Sequence, residues 1–329
     1  MRYFLTGATG FIGQELAKQL LSRGDTVHAL VRSPEKARQI TGENLKLFPG
    51  DVNNPEVIDK AIAGCDYVFH LAGYARPWSR DKNLPHRINV EGTGNVLEAA
   101  LNHKVRKLVF TSTAGTLKPS EKNECVDENS LLPENYLTSY EQTKREAEKL
   151  CLDYTAKGLD VVIVNPTRVY GPGLLSKSNS VTTIIKQYQE GRWHFIPGTG
   201  NETGNYVFID DIVSGHLLAL QRGKPGESYI LGGDNVSFNQ FFTVLSEESG
   251  KKPRLFKLPL PFLILVSALM LFLANGFGIE PVITPGWVKR YNQNRALSSR
   301  KAIQDLGYTV TPLHSGIRKT LEWLKSNKV

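Results

Sequence analysis

Three features of this sequence predict an α/β fold built on a doubly wound parallel sheet. Short apolar runs alternate with stretches of helical periodicity through the first half of the 329 residues. The runs are apolar almost throughout, and a glycine-rich turn directly follows the first of them. A strand apolar on both faces is one covered by helices on both sides, whereas a half-exposed strand alternates. Strands are expected at Arg2–Thr6, Thr26–Val31, Leu45–Phe48, Tyr67–Leu71, Lys107–Thr111 and Asp160–Val164. Helical spacing falls between them at Phe11–Ser22, Pro55–Ala63, Val90–Leu101 and Tyr140–Ala156.

After Asn165-Pro166 the pattern becomes irregular and rich in Gly and Pro, as expected of a smaller substrate-covering region. A strand at Asn205–Ile209 and a helix at Ile212–Gln221 are expected to return to the main sheet. Later helices are expected at Asn239–Glu248, Phe262–Ala274 and Leu313–Lys325. The predicted organisation is thus a dinucleotide-binding domain over residues 1–165, rejoined by 205–230, and a substrate region from 166–204 and 231–329.

Apolar and charged fractions of 40% and 22% are those of an ordinary globular protein, which sets aside disordered and collagen-like classes. Cys65, Cys125 and Cys151 are odd in number and widely spaced, so reduced thiols are expected and no C-x-x-C metal pair is present. The chain opens as a strand with no export-signal pattern, which predicts a cytoplasmic protein. Its net charge of +8 is local: residues 251–329 hold 13 Lys/Arg against Glu280, Asp305 and Glu322. A basic face confined to the last quarter argues against a general nucleic-acid-binding role.

The turn Thr6-Gly7-Ala8-Thr9-Gly10-Phe11-Ile12-Gly13 joins the first strand to the first helix with the spacing G-x-x-G-x-x-G. Glycines permit a tight turn and close approach to a pyrophosphate, and the following helix N-terminus offers unpaired N–H groups to it. At this junction of a βαβ series the turn predicts dinucleotide binding, hence a Rossmann-like domain. The end of the second strand reads Val31-Arg32-Ser33-Pro34, with Lys36 following. An acid there would bind ribose hydroxyls; Arg32, aided by Ser33 or Lys36, instead favours the 2′-phosphate of NADP(H) over NAD(H).

Tyr140 and Lys144 lie four residues apart, on one helical face. Their helix precedes the sixth strand, and Thr111-Ser112-Thr113 ends the fifth, so the topology brings these groups to one end of the sheet. His194 and His216 have no partners at metal-ligand spacing, and Asp210-Asp211 reads as a helix cap, so no metal is expected.

Over essentially its whole length the sequence resembles the extended short-chain dehydrogenase/reductase family. The matching segments are TGATGFIG at Thr6–Gly13, Asp51-Val52, Val68-Phe69-His70-Leu71-Ala72-Gly73 and Asn89-Val90-Glu91-Gly92-Thr93. Phe110–Gly115, the Tyr140/Lys144 pair, Asn165–Gly173 and Val207–Asp211 continue the match. The resemblance implies that Asp51 and Val52 flank the adenine and that Leu71, Ala72 and Gly73 pass beside the cofactor. It implies that Pro166, Thr167 and Val169 run beneath the nicotinamide and that Asn89 supports the site. Thr113 matches the catalytic Ser/Thr, with Ser112 the weaker candidate. A homodimer, the family's common assembly, is implied as well.

The chemistry these groups suit is hydride transfer at a carbonyl. Tyr140 would supply the proton, Lys144 would lower its pKa and hold the cofactor ribose, and Thr113 would hold the substrate oxygen. The closest-looking branch is the dihydroflavonol-reductase-like and 3β-hydroxysteroid-dehydrogenase-like group, which implies NADP(H)-linked reduction of a ketone or aldehyde on a hydrophobic substrate. Two other classes stand beside this reading: a nucleotide-sugar epimerase or dehydratase, and a non-catalytic NADP-binding sensor. The first is disfavoured by Gly204-Asn205-Tyr206-Val207, where such enzymes carry a phosphate-binding Arg, with Arg168 or Arg192 as candidate replacements.

The run Phe262–Ala274 is apolar on every helical face and, at ~1.5 Å per residue, too short to cross a bilayer. It is expected either as a buried helix lining an apolar pocket or as an exposed lid docking on an anionic membrane. Lys251, Lys252, Arg254, Lys257, Lys289 and Arg290 would supply the basic surround for docking.

Overall fold

The parallel sheet forms because each apolar run has two faces to bury, and helices cover both. In the computed structural model, which describes residues 1–122, 124–176 and 179–327, the strands are β1 (Arg2–Thr6), β2 (Thr26–Val31), β3 (Leu45–Pro49), β4 (Tyr67–His70), β5 (Lys107–Thr111) and β6 (Val161–Pro166). A seventh strand, Ser228–Leu231, joins them. Numbering it β10, with β7–β9 introduced below, the order is β10–β6–β5–β4–β1–β2–β3, all parallel. The chain reverses direction of travel across the sheet between β1 and β4, and it is at the carboxyl ends of strands flanking such a reversal that a ligand crevice opens.

Alternate residues of each strand divide between two cores. Leu5, Phe69, Val109 and Val162 pack beneath α1 (Phe11–Ser22) and the later helices. Phe4, Val68, Leu108 and Ile163 pack beneath α2 (Pro55–Ile62), α3 (Gly92–Asn102) and α4 (Ser139–Ala156). The helix expected from Val90 begins two residues later because Arg87–Glu91 make a wider π turn. Such turns re-aim side chains, and this one holds Asn89 fully buried. Strand β6 runs on to Pro166, past the expected Val164, because β10 pairs with it through Leu231↔Pro166.

The second half is covered by α5 (Ser180–Gln189), α6 (Ile209–Arg222), α7 (Phe238–Ser249), α8 (Leu260–Phe277), α9 (Pro285–Tyr291) and α10 (Leu313–Ser326). The strand expected at Asn205–Ile209 begins two residues earlier, ends one residue earlier and does not join the main sheet. As β9 (Thr203–Phe208) it pairs parallel with β7 (Arg168–Tyr170) and antiparallel with β11 (Asp234–Ser237) in a separate three-stranded sheet. A further pair, β8 (Phe195–Pro197) and β12 (Phe256–Leu258), runs parallel beside it. Helix α6 does pack on the main sheet, through Ile212, Val213 and Leu217. It begins at Ile209, so Asp210 and Asp211 sit in its first turn and do not cap it. Asp211 instead accepts the Thr311 N–H and hydroxyl, both at 2.7 Å.

Helix α8 lies on the outside, so the expectation of a buried helix is not met. At 18 residues it is long and apolar enough to cross a membrane, so the expectation that the run is too short does not hold. Only Ser267 and Ala274 are buried, while Leu265 and Leu269 are 69% and 58% exposed. Those two buried residues, seven apart, form a narrow strip by which the helix rests on the domain. Both ends are tied down. β12, just before it, pairs with β8, and Asn275 near its end accepts from Trp78 Nε1 at 3.0 Å and Lys82 Nζ at 3.2 Å.

Candidate active site

The glycine turn packs against the end of β4 by backbone alone. Gly7 has φ +74°, and a Cβ on it would stand 2.7 Å from the Ala72 nitrogen and the Leu71 carbonyl carbon. A Cβ on Gly13 would fall 2.1 Å from the Gly7 carbonyl oxygen, so only glycine lets α1 start so close to the turn. Gly10 is the N-cap of α1 and brings no side chain to its first N–H groups, while Phe11 turns inward to the core. Thr9 and Ile12 complete the partly buried rim. A cradle that any Cβ would fill, lying at a helix N-terminus, fits a dinucleotide pyrophosphate. Thr167, at the end of β6, adds a buried hydroxyl with no partner within the described residues.

At the carboxyl end of β2, Arg32 is exposed and its Nε lies 3.9 Å from Asp51. Ser33 is drawn away, donating to Glu35 at 2.5 Å, and Lys36 is exposed in the next turn. Asp51 itself accepts from the Asn53 backbone and side chain, and the buried Val52 gives its carbonyl to Asn95 Nδ2 at 2.9 Å.

Tyr140 and Lys144 stand in the first turns of α4, whose N-cap Thr138 accepts the Glu141 N–H. Lys144 is buried; its ammonium donates to the Thr111 carbonyl at 2.7 Å and lies 4.6 Å from the Phe110 ring centroid. Gly73 leaves the room for it, since a Cβ there would be 3.3 Å from both Lys144 Nζ and Asn89 Oδ1. Burial lowers Lys144 to about 8, against the pull of Glu148 and Cys151. Thr113 is buried and its hydroxyl accepts the Gly115 N–H at 3.1 Å. Burial raises the Tyr140 phenol. Opposing that rise are first the Arg290 guanidinium and then the neighbouring Thr113 hydroxyl. The cation that leads this opposition is therefore Arg290, not Lys144 as the sequence reading expects.

Asn89 Oδ1 accepts the Tyr74 N–H at 2.6 Å and its Nδ2 donates to Thr143 at 2.9 Å, one residue before Lys144. A hydrogen-bond chain links it to the glycine turn. Thr93 donates to the Asn89 carbonyl and so accepts from His70 Nε2, which leaves Nδ1 to accept from Thr6, whose oxygen also takes the Ala72 N–H. This requires a neutral imidazole, and burial together with Lys144 pushes His70 down to about 3. Ser112 does not join the site: its hydroxyl donates to Glu148 at 2.5 Å, on the opposite side of the strand from Thr113. Glu148 also accepts from Thr116, Asn165 and Arg145. Val169 and Pro166 lie on either side of Thr167 and Arg168 as the chain leaves β6 for β7.

Three residues at the site escape the sequence reading. Trp287 of α9 stacks on Tyr140 at 6.1 Å between ring centroids, and Arg290 of the same helix donates through Nε to the buried Glu141 at 2.5 Å. Nothing local in the sequence ties residues 285–291 to α4. Glu148 had a signal, its spacing of four from Lys144 on the same helical face. Arg290, expected to face a membrane, is thus turned inward to Glu141, whereas Lys289 is exposed. Among the described residues no group of three or more His, Cys, Asp or Glu is placed to hold a metal.

The model of the NAD dependent epimerase/dehydratase family matches residues 3–232. A putative dihydroflavonol 4-reductase of Synechocystis sp. is 29% identical over 99% of this chain and 95% of its own. The 4-hydroxy-2-methyl-3-oxo-4-farnesyl-3,4-dihydroquinoline-1-oxide ketoreductase of Stigmatella aurantiaca is 32% identical over 79% of this chain and 76% of its own. Among solved structures, UDP-glucuronic acid 4-epimerase from Bacillus cereus in complex with NAD is similar at a TM-score of 0.79 and 25% identity, covering 100% of both chains.

The depressed Lys144 has a consequence for stability. A lysine lowered on folding penalises the folded state below its folded pKa, and the penalty is relieved as pH rises toward the unfolded value. In the protein without cofactor, urea unfolding of the parent should therefore gain stability relative to Lys144→Met between pH 8 and pH 10.5. Parallel pH profiles for the two proteins would contradict a buried, depressed ammonium.

Proposed function

We propose, from the premise that this chain belongs to the NAD dependent epimerase/dehydratase family and is an NAD(P)-dependent enzyme of the extended short-chain dehydrogenase/reductase type, that it reversibly reduces a ketone or aldehyde on a hydrophobic small molecule with NADP(H). The observation that carries the reading is the gathering of the Thr113 hydroxyl, the Tyr140 phenol and the buried Lys144 ammonium at the end of the sheet where the glycine cradle lies. The cofactor, when bound, supplies the hydride. Tyr140 donates its proton to the carbonyl oxygen as negative charge develops there. Thr113, with one lone pair engaged by the Gly115 N–H, keeps its own O–H to donate to the substrate oxygen. Lys144 would hold the cofactor ribose, and the His70–Thr93–Asn89 chain keeps Lys144's helix in register with the cradle.

Arg32, exposed at the carboxyl end of β2, supports NADP(H) over NAD(H), because its guanidinium is open to a 2′-phosphate. A hydrophobic substrate is supported by the aromatic cover that Trp287 puts over Tyr140, and by the farnesylated quinoline in the name of the Stigmatella ketoreductase. The nucleotide-sugar reading is weakened at Arg192, which pairs with Glu190 on the surface. A pure sensor would have no use for the Thr113/Tyr140/Lys144 set.

Helix α8 extends the reading to where the substrate comes from. Its outer face exposes Phe262, Leu265, Leu269 and Phe272, with Lys252, Arg254, Lys257 and Lys289 exposed around it. An apolar face rimmed by cations complements an anionic lipid surface. Held at both ends, the helix lies in the plane of the membrane and does not cross it. Helix α9 packs on α8 and carries Trp287, so docking brings the lipid to the cover of the site.

Tyr140→Phe should fold and bind cofactor yet lose at least ~10²-fold in turnover; near-parent turnover removes Tyr140 from the proton-donor role. Titrations should show NADPH binding more tightly than NADH, with Arg32→Ala weakening NADPH selectively; equal affinities in the parent would reject the preference. Anionic vesicles should sediment the parent at low salt but not a folded Leu265→Glu/Leu269→Glu variant. A parent that stays in the supernatant ends the membrane proposal.

A further inference from the structure

Beyond the Tyr140 hydroxyl, the substrate side holds more positive charge than its own residues balance. Two guanidiniums, those of Arg290 and Arg295, share one carboxylate, Glu141, which is 1% exposed, and a third, that of Arg168, lies close enough to Arg295 to repel it. Arg290 donates to it at 2.5 Å and Arg295 at 3.4 Å, and Arg295 also donates to the Leu117 carbonyl. Burial lowers Arg295 to about 10, with Arg290 and Arg168 pushing in the same direction and Glu141 against them. Its Nε is buried with no partner among the described residues.

Arg168 is the guanidinium left over. Among the described residues no carboxylate pairs with it; its Nη1 donates to the Tyr206 hydroxyl at 2.9 Å. Burial raises the Tyr206 phenol, so it accepts this bond as a neutral group and supplies no counter-charge. The rings of Tyr206, Phe238 and Tyr291 surround the guanidinium carbon at 5.3, 5.0 and 5.5 Å. Aromatic faces desolvate a guanidinium and hold it in place, leaving its N–H edge for a planar acceptor. Gly204 makes the room: a Cβ there would fall 2.3 Å from Arg168 Nη1. The glycine that reads as the loss of a phosphate-binding cation is therefore the space that the guanidinium of Arg168 fills.

The cage reaches the reacting end of the site. Tyr291 lies 5.9 Å from Trp287, which stacks on Tyr140, and Arg290 lies 5.9 Å from the same Tyr291 ring. Arg168 itself begins β7, two residues after Pro166 at the end of β6.

We infer that Arg168 is the receptor for a carboxylate on the substrate, so that the molecule reduced at Tyr140 is a hydrophobic oxo acid. A single free fork, flanked by rings on its faces, matches one planar monoanion. This rests on the reading of Tyr140 as the donor to a carbonyl and names the substrate class for that reaction.

Two measurements separate this inference from the reaction it rests on. The first reads binding without turnover: NADP-loaded protein is titrated with decanoate, decanol, decyl phosphate and UDP-glucose, following Trp fluorescence. Decanoate should bind at least about tenfold more tightly than decanol, the scale of one charge-assisted pair. Arg168→Gln should abolish that ratio. Gly204→Ala, which keeps the arginine but displaces it, should reduce it as well, which guards against a variant that fails to fold. The second compares kcat/KM for aliphatic oxo acids of increasing carbonyl-to-carboxylate spacing with their methyl esters; the acid should be preferred, and the preference should fall in both variants. Equal binding of decanoate and decanol overturns the inference, as does an acid preference unchanged in the variants. Tighter binding of decyl phosphate or UDP-glucose rejects the carboxylate in favour of a phosphate-bearing substrate. Decanoate selectivity through Arg168 with no turnover of any carbonyl would leave this site standing and fault the reductase reading.

Discussion

The constraint on which the rest of the molecule depends is the backbone-to-backbone approach of the glycine turn to the end of β4. Gly7 and Gly13 let β1, the first helix and Leu71-Ala72 meet where any side chain would collide with main-chain atoms. Main chain cannot repack around an intruding methyl group as a flexible side chain can, so this junction tolerates little variation. It defines the crevice at the reversal of the sheet, and it leaves the helix N-terminus bare toward that crevice.

From that junction a line of buried polar groups carries the geometry to the reacting end. Thr6, His70, Thr93 and Asn89 are each fully buried, and each bond in the line fixes the donor or acceptor role of the next. A neutral His70 is a requirement of the line, because a second ring proton would face the Thr6 hydroxyl that must donate to it. Low dielectric strengthens such a network when every member is satisfied and penalises it heavily otherwise. The line ends on Thr143, beside Lys144, so the cradle and α4 are positioned against one another by hydrogen bonds and not by packing alone.

The opposite wall is assembled from the last third of the chain. Helix α9 brings Trp287 onto Tyr140 and Arg290 onto Glu141, and its neighbour α8 presents the apolar outer face. A single short helix thus touches Tyr140 on one side and the exposed apolar helix on the other. The arginines of this wall also alter the electrostatics of the phenol. Arg290, held by Glu141, takes the part of opposing the burial of Tyr140, while Lys144 is spent on the Thr111 carbonyl.

The parallel sheet, the glycine cradle and the Tyr140/Lys144 face were legible in the sequence because their causes are local. Apolar runs, a positive-φ glycine beside a strand end and a spacing of four on a helix act within a few residues. So the helix at Phe11–Ser22 and the strands at Arg2–Thr6, Thr26–Val31 and Lys107–Thr111 stand where their periodicity puts them. What lies across long sequence separations was not legible. The turning of Ser112 toward Glu148, the seat of β9 in a second sheet, the exposure of α8 and the meeting of Arg290 with Glu141 each depend on residues dozens to more than a hundred positions away. The sequence by itself determined the elements and the groups with chemistry to offer. Only the tertiary structure decided which of those groups share a charge, a proton or a surface, because such sharing is a matter of distances of a few ångströms between segments that no local pattern brings together.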